Sequence, residues 1–215
     1  MIKAVIFDMD GVLIDSEQYW FRVEQLLFDK YNIEGNASSI RDKLMGLSDN
    51  ESIKILKKEF GIPASIEEIR DFRCKALINI YKKELELRKG AQGLLSYIKL
   101  NDIPCALATS SPPVVVDFVL ENTGIRDFFQ SIITINKVLN GKPAPDMFLK
   151  AAEELSVNHA DCLVFEDAPN GIKAAKAAGM YVLGVLHSFN SAEELNGADQ
   201  IVSELDEIDL DKVLK

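Results

Sequence analysis

At 215 residues, with 47% hydrophobic and 27% charged side chains, the chain suits one large domain or a core with a small insert, and its composition excludes a disordered or fibrous class. Its 34 acids against 24 bases give a net charge of −10, which disfavours nucleic acid and anionic membranes as partners because both need a basic surface. No apolar run reaches the ~20 residues that cross a bilayer, and the first residues lack the order of a signal peptide, so no membrane partner and a cytoplasmic setting are expected.

The first predicted element is the apolar, β-branched run Lys3–Phe7, a buried strand that leads directly into Asp8-Met9-Asp10-Gly11-Val12. The pattern then turns helical. Asp15-Ser16 can cap a helix carrying Trp20, Val23, Leu27 and Tyr31 on one face. Ser48 with Glu51, and Ser65 with Glu68, are capping boxes for two further helices, the first of them stopping at Gly61 before Pro63. The second shows Ile66, Ile69, Ala76 and Ile80 on one face and a charged surface at Lys82, Lys83, Glu84 and Glu86. Residues 15–87 are therefore expected to form a helical insert between two parts of a core, residues 1–14 and 88–215, with hinges near Ile14-Asp15 and Arg88-Lys89-Gly90.

From Gly90 the sequence alternates. A helix around Leu94, Leu95 and Ile98 is followed by a strand ending at Thr109, a helix from Pro113 to Gly124, and a short strand at 131–135. A helix capped by Asp146 follows, then a strand from Cys162 into Glu166-Asp167, an Ala-rich helix closed by Gly179, and a strand from Tyr181 to Val185. Alternating strands and helices with short loops predict an α/β fold, a Rossmann-like parallel sheet with helices on both faces and an all-helical insert. Cys74, Cys105 and Cys162, odd in number and widely spaced, read as reduced core thiols; His159 and His187, in loop-like sequence, read as structural or solvent-facing.

Four polar groups follow strands or turns: Asp8 and Asp10, Thr109-Ser110, Lys142, and Glu166-Asp167. Strand ends of an open α/β sheet converge on one crevice, and carboxylates meeting there repel without a counter-ion. Oxygen-only ligands suit Mg²⁺, while Thr109 and Lys142 offer the donor and the cation that a phosphate requires. A calcium loop does not fit, since its glycine stands at the sixth position and Gly11 stands at the fourth, counting Asp8 as the first. Asn140-Gly141-Lys142 lacks the upstream glycine and the following hydroxyl of a P-loop.

The four motifs Asp8-Met9-Asp10-Gly11-Val12, Leu107-Ala108-Thr109-Ser110-Ser111, Gly141-Lys142-Pro143-Ala144-Pro145-Asp146 and Phe165-Glu166-Asp167-Ala168-Pro169-Asn170-Gly171 resemble, in order and spacing, the haloacid dehalogenase superfamily. The likeness is to the branch that includes β-phosphoglucomutase and sugar-phosphate phosphatases, and it makes the helical insert that branch's cap. The resemblance implies that Asp8 is a nucleophile forming an aspartyl-phosphate and Asp10 the acid and base for alkoxide and water. It implies Mg²⁺ held by the Asp8 carboxylate, the Asp10 backbone carbonyl and Asp167, with Glu166 a further ligand or a supporting partner. Thr109 and the Ser110 N–H would hold phosphoryl oxygens, and Lys142 would neutralise charge between Asp8 and the phosphate.

The implied substrate is a small phosphorylated metabolite, a sugar or sugar-alcohol phosphate, and the implied reaction is hydrolysis. The alternatives are a phosphosugar mutase of the β-phosphoglucomutase type and a catalytically silent binding protein. Mutases of that branch carry a histidine and an arginine where this chain has Trp20 and Asp49, and polar residues where it has Pro112-Pro113, which favours the phosphatase. Trp20 reads either as packing or as the substrate side of the cap. Gly46 and Asp49 read as a turn or as substrate contacts. A monomer is compatible with the sequence, which leaves the oligomeric state open.

Overall fold

The computed structural model describes residues 1–44 and 47–213. Six parallel strands lie in the order β3-β2-β1-β4-β5-β6: β1 Ala4–Phe7, β2 Cys105–Thr109, β3 Ser131–Thr134, β4 Cys162–Glu166, β5 Tyr181–Val185 and β6 Gln200–Val202. The chain leaves β1 towards β2 and β3 on one side, then returns to β4, β5 and β6 on the other. That reversal beside β1 is the switch point of a doubly wound sheet, and it opens a crevice at the carboxyl ends of β1, β2 and β4.

Alternation along the strands separates two cores. Val5, Phe7, Leu107, Leu163, Phe165 and Leu183 face one way, against α5 (Ala91–Leu100) and α6 (Pro113–Thr123). Ala4, Ile6, Ala106, Ala108, Val164 and Val182 face the other, against α7 (Asp146–Glu154) and α8 (Pro169–Ala177). Phe7 and Phe165, partners in register, stack with centroids 4.6 Å apart. Burying each such ring is worth roughly 1.5–3 kcal/mol. The three cysteines are buried and unpaired.

Between β1 and α5 lie α1 (Glu17–Lys30), the short α2 (Arg41–Leu44), α3 (Asp49–Phe60) and α4 (Ile66–Glu84). They enclose a core of their own, with Leu27, Phe28, Ile53, Leu56 and Ile69 fully buried. Both expected capping boxes form, Ser48 with Glu51 and Ser65 with Glu68. Ser16 stands at the N-cap of α1, but its side chain makes no capping bond. The block joins the sheet through two adjacent crossings: Ile14 bridges antiparallel to Leu87, and the Arg88 N–H donates to Leu13 O at 2.8 Å.

The expected elements after Gly90 are present within a residue or two of their predicted ends. The edge strand β6 and the terminal helix α9 (Leu210–Val213) were not expected. Three residues are too few to show a period, which is why β6 escapes a sequence reading. No helix among the described residues is long and apolar enough to cross a membrane.

Candidate active site

The crevice beside β1 is a cavity of about 150 Å³ lined by Asp8, Asp10, Trp20, Glu24, Asp49, Ser52, Arg73, Thr109, Ser110, Lys142, Glu166 and Asp167, among others. Every expected site residue but one therefore lines the same space; Gly46 lies outside the described residues. Asp8 follows β1, Thr109 ends β2, Glu166 ends β4, and the loop after β3 brings Lys142 across the mouth. Parallel pairing of adjacent strands sets these groups side by side.

Lys142 is the cation at the centre. Its Nζ donates to Asp8 Oδ1 at 2.6 Å and to Glu166 Oε1 at 2.5 Å, and its side chain is 7% exposed. Burial alone would lower its pKa, but Asp8 and Glu166 outweigh that and hold the ammonium well above the ordinary lysine range. The other Glu166 oxygen accepts the N–H groups of Asp167 and Ala168 at 2.9 and 3.0 Å, so both its oxygens are engaged. Gly171 makes room for this carboxylate, since a Cβ there would overlap it.

The two aspartates of the first motif are held differently. Asp10 Oδ2 accepts from Ser111 Oγ at 2.6 Å and from Thr109 Oγ1 at 3.5 Å, while its Oδ1 is buried without a partner among the described residues. Thr109 Oγ1 itself accepts the Ser111 N–H at 3.1 Å. Ser111 stood in the second motif, but no role was read for it. Burial pushes the Asp8 carboxyl well above the usual range; Lys142 offsets this in part, and Glu166, Asp167 and Asp10 add to the rise. Asp8 is thus the reverse of a carboxylate kept low by its surroundings.

Asp167 sits against the first motif: Gly11, at φ +73°, has a Cβ position that Asp167 would fill, so only glycine satisfies both turn and contact. Burial raises its carboxyl well above the ordinary value, and Glu166 and Glu17 raise it further. Of the two readings of His187, structural or solvent-facing, the solvent-facing one does not hold. Its side chain is 2% exposed and its Nε2 lies 3.0 Å from Asp167 Oδ2. Nδ1 accepts the Phe189 N–H at 3.1 Å, which leaves the proton on Nε2 to donate to Asp167. Asn190 closes the same loop, its Nδ2 donating to Asp167 O at 2.8 Å and Val185 O at 3.0 Å.

The helical block supplies the opposite wall. Trp20 of α1 lines it, with the Arg73 guanidinium 4.8 Å from its ring centre. Arg73 is buried in α4, where its Nε and Nη2 donate to Glu24 Oε1 at 3.1 and 2.6 Å and its Nη1 to Asp49 Oδ1. Asp49, the first residue of α3, is also bound by Arg70 Nε at 3.0 Å. A guanidinium in a charge-rich helix reads as solvated, so neither Arg73 nor Glu24 was found from sequence.

Among the described residues, no three His, Cys, Asp or Glu side chains form a ready-made metal cage. The donor set still fits a hard divalent cation. Asp8, Asp10, Glu166 and Asp167 face one cavity against the single ammonium of Lys142, and Asp10 Oδ1 lacks a partner. A cation there would oppose the burial, and the lesser repulsion by neighbouring carboxylates, that raise Asp8 and Asp167, and Mg²⁺ accepts a site of one or two carboxylates completed by water.

The family model for haloacid dehalogenase-like hydrolases matches residues 5–185. A phosphorylated carbohydrates phosphatase from Thermotoga maritima is 31% identical, over 90% of this chain and 90% of its own. The β-phosphoglucomutase of Bacillus subtilis is 33% identical, over 98% of this chain and 93% of its own. A crystal structure of CbbY from Rhodobacter sphaeroides with phosphate superimposes at a TM-score of 0.89 with 26% identity, covering 97% of both chains. With four motifs at one sheet edge and a family match spanning most of its length, the chain belongs to the haloacid dehalogenase-like hydrolases.

Proposed function

We propose that the protein is a Mg²⁺-dependent phosphatase that hydrolyses a small phosphorylated metabolite, a sugar or sugar-alcohol phosphate, through an aspartyl-phosphate on Asp8. The observation that carries this reading is the pair of aspartates one residue apart in one cavity, Asp8 held by Lys142 and Asp10 by Ser111. Asp8 attacks phosphorus and its carboxylate takes the phosphoryl group, while Asp10 gives a proton to the leaving alkoxide. Asp10 then removes a proton from water, which attacks phosphorus, releases inorganic phosphate and restores Asp8. Thr109 and the Ser110 N–H bind phosphoryl oxygens, and Lys142 balances the charge that develops between nucleophile and phosphate.

The Asp8 carboxylate, the Asp10 carbonyl and Asp167 would hold Mg²⁺, whose chemistry is to neutralise phosphoryl oxygens and keep Asp8 ionised. Glu166, with both oxygens engaged, fits better as the support of Lys142 than as a ligand. In the same reading residues 15–87 are a cap over a core of residues 1–14 and 88–215, and three unpaired cysteines suit a cytoplasmic setting. A mutase needs a free cation for a second phosphate on the cap side. Here Arg70 and Arg73 are bound to Asp49 and Glu24, so neither of these two cations is available to a second phosphate, which together with repulsion by Asp49 disfavours a mutase.

The test is phosphate release from p-nitrophenyl phosphate, expected with Mg²⁺ and absent with EDTA. Mg²⁺ at 100 times its Kd should stabilise the protein by about 2.7 kcal/mol, a rise in Tm of roughly 5–10 °C. Unchanged melting with no turnover would contradict the reading. His187→Leu should raise the Mg²⁺ concentration for half-maximal stabilisation about 10–100-fold, because it removes the donor that orients Asp167. A titration of melting temperature superimposable on the wild type would deny His187 that role.

A further inference from the structure

Glu24 is 4% exposed and lines the cavity, and only one of its oxygens is used. Oε1 takes both Arg73 donors, whereas Oε2 is buried without a partner among the described residues. A buried carboxylate oxygen left unpaired is costly unless something that enters the site completes it. The Arg73 charge is balanced by Glu24 and Asp49, and Arg70, 34% exposed, closes the cluster on Asp49 from the rim. The wall opposite Asp8 thus carries an acceptor with no partner among the described residues, the indole of Trp20 and no uncommitted cation among the residues named.

Resting on the phosphatase reading, we propose that Glu24 is a specificity-determining residue: its Oε2 hydrogen-bonds a hydroxyl of the leaving group, and the wall selects a phosphomonoester whose tail is neutral and hydroxylated. A tail with a carboxylate or second phosphate would have to face Glu24 and Asp49. An aryl tail fits against Trp20 but leaves Oε2 unsatisfied.

The Mg²⁺-loaded enzyme should be assayed on sorbitol 6-phosphate, 3-phosphoglycerate and p-nitrophenyl phosphate. The wild type should favour the polyol ester over 3-phosphoglycerate in kcat/KM by about 10-fold or more. Glu24→Leu should lower the ratio of kcat/KM for the polyol ester to that for p-nitrophenyl phosphate by about 10-fold or more. Because Glu24→Leu strands Arg73, the paired change Glu24→Leu with Arg73→Met gives a second scaffold on which the same fall is expected. A ratio within about twofold of wild type in either folded variant, or a wild-type preference for 3-phosphoglycerate, overturns the proposal. Calorimetric titration of the Asp8→Asn protein with the two non-aryl esters reads the same preference without turnover, which separates failure of this inference from failure of the phosphatase reading; equal affinities overturn it.

Discussion

Asp8→Asn is expected to lower phosphatase turnover by about 10⁴-fold or more, the scale on which enzymes lose rate with their covalent nucleophile. The carboxamide keeps the shape of the side chain at the end of β1 but cannot attack phosphorus at a useful rate. The fold should survive, because strand pairing at Phe7 and the Asp8 N–H bond to Phe165 O at 2.9 Å are backbone interactions. Circular dichroism and melting of the variant check that part. Turnover within about 100-fold of wild type would mean that the nucleophile lies elsewhere.

Lys142→Ala should be costly twice. The variant should lose about 10²-fold or more in kcat, since no other ammonium or guanidinium contacts Asp8 through a hydrogen bond in the site as described. It should also be destabilised by about 3–5 kcal/mol in EDTA, because Asp8 and Glu166 would be left buried around a missing partner. Urea unfolding with and without Mg²⁺ separates the two effects: the ion should recover part of the stability and little of the rate. Retention of more than a tenth of wild-type kcat would remove Lys142 from the chemistry.

The side of the cavity proposed to be catalytic was legible because each of its groups follows an apolar strand or a Gly/Pro turn, and a parallel sheet places such positions at one edge. Asp8 and Lys142 are 134 residues apart, yet topology alone brings them together. The cap side was not legible in the same way. Arg73 shares α4 with Arg70, Lys75, Lys82 and Lys83, and no periodicity marks which of these turns inward. Burial of Arg73 depends on Glu24 and Asp49, contributed by two other helices. The contact of His187 with Asp167 was hidden for a related reason: that carboxylate is 20 residues away, and only the loop after β5 turns the ring onto it. Trp20 carries two readings in the sequence, since a ring at helical spacing fits either a core or a binding wall, and in the structure it both packs against the core and lines the cavity.

The central claim is that Asp8 is transiently esterified by phosphate in a cavity shared with Asp10, Lys142 and Asp167. Mass spectrometry of enzyme quenched in acid during turnover of a phosphomonoester with Mg²⁺ tests it most directly. A phosphate adduct on the peptide containing Asp8, lost in Asp8→Asn and absent with EDTA, is the expected result; sustained phosphate release with that peptide never modified would contradict it.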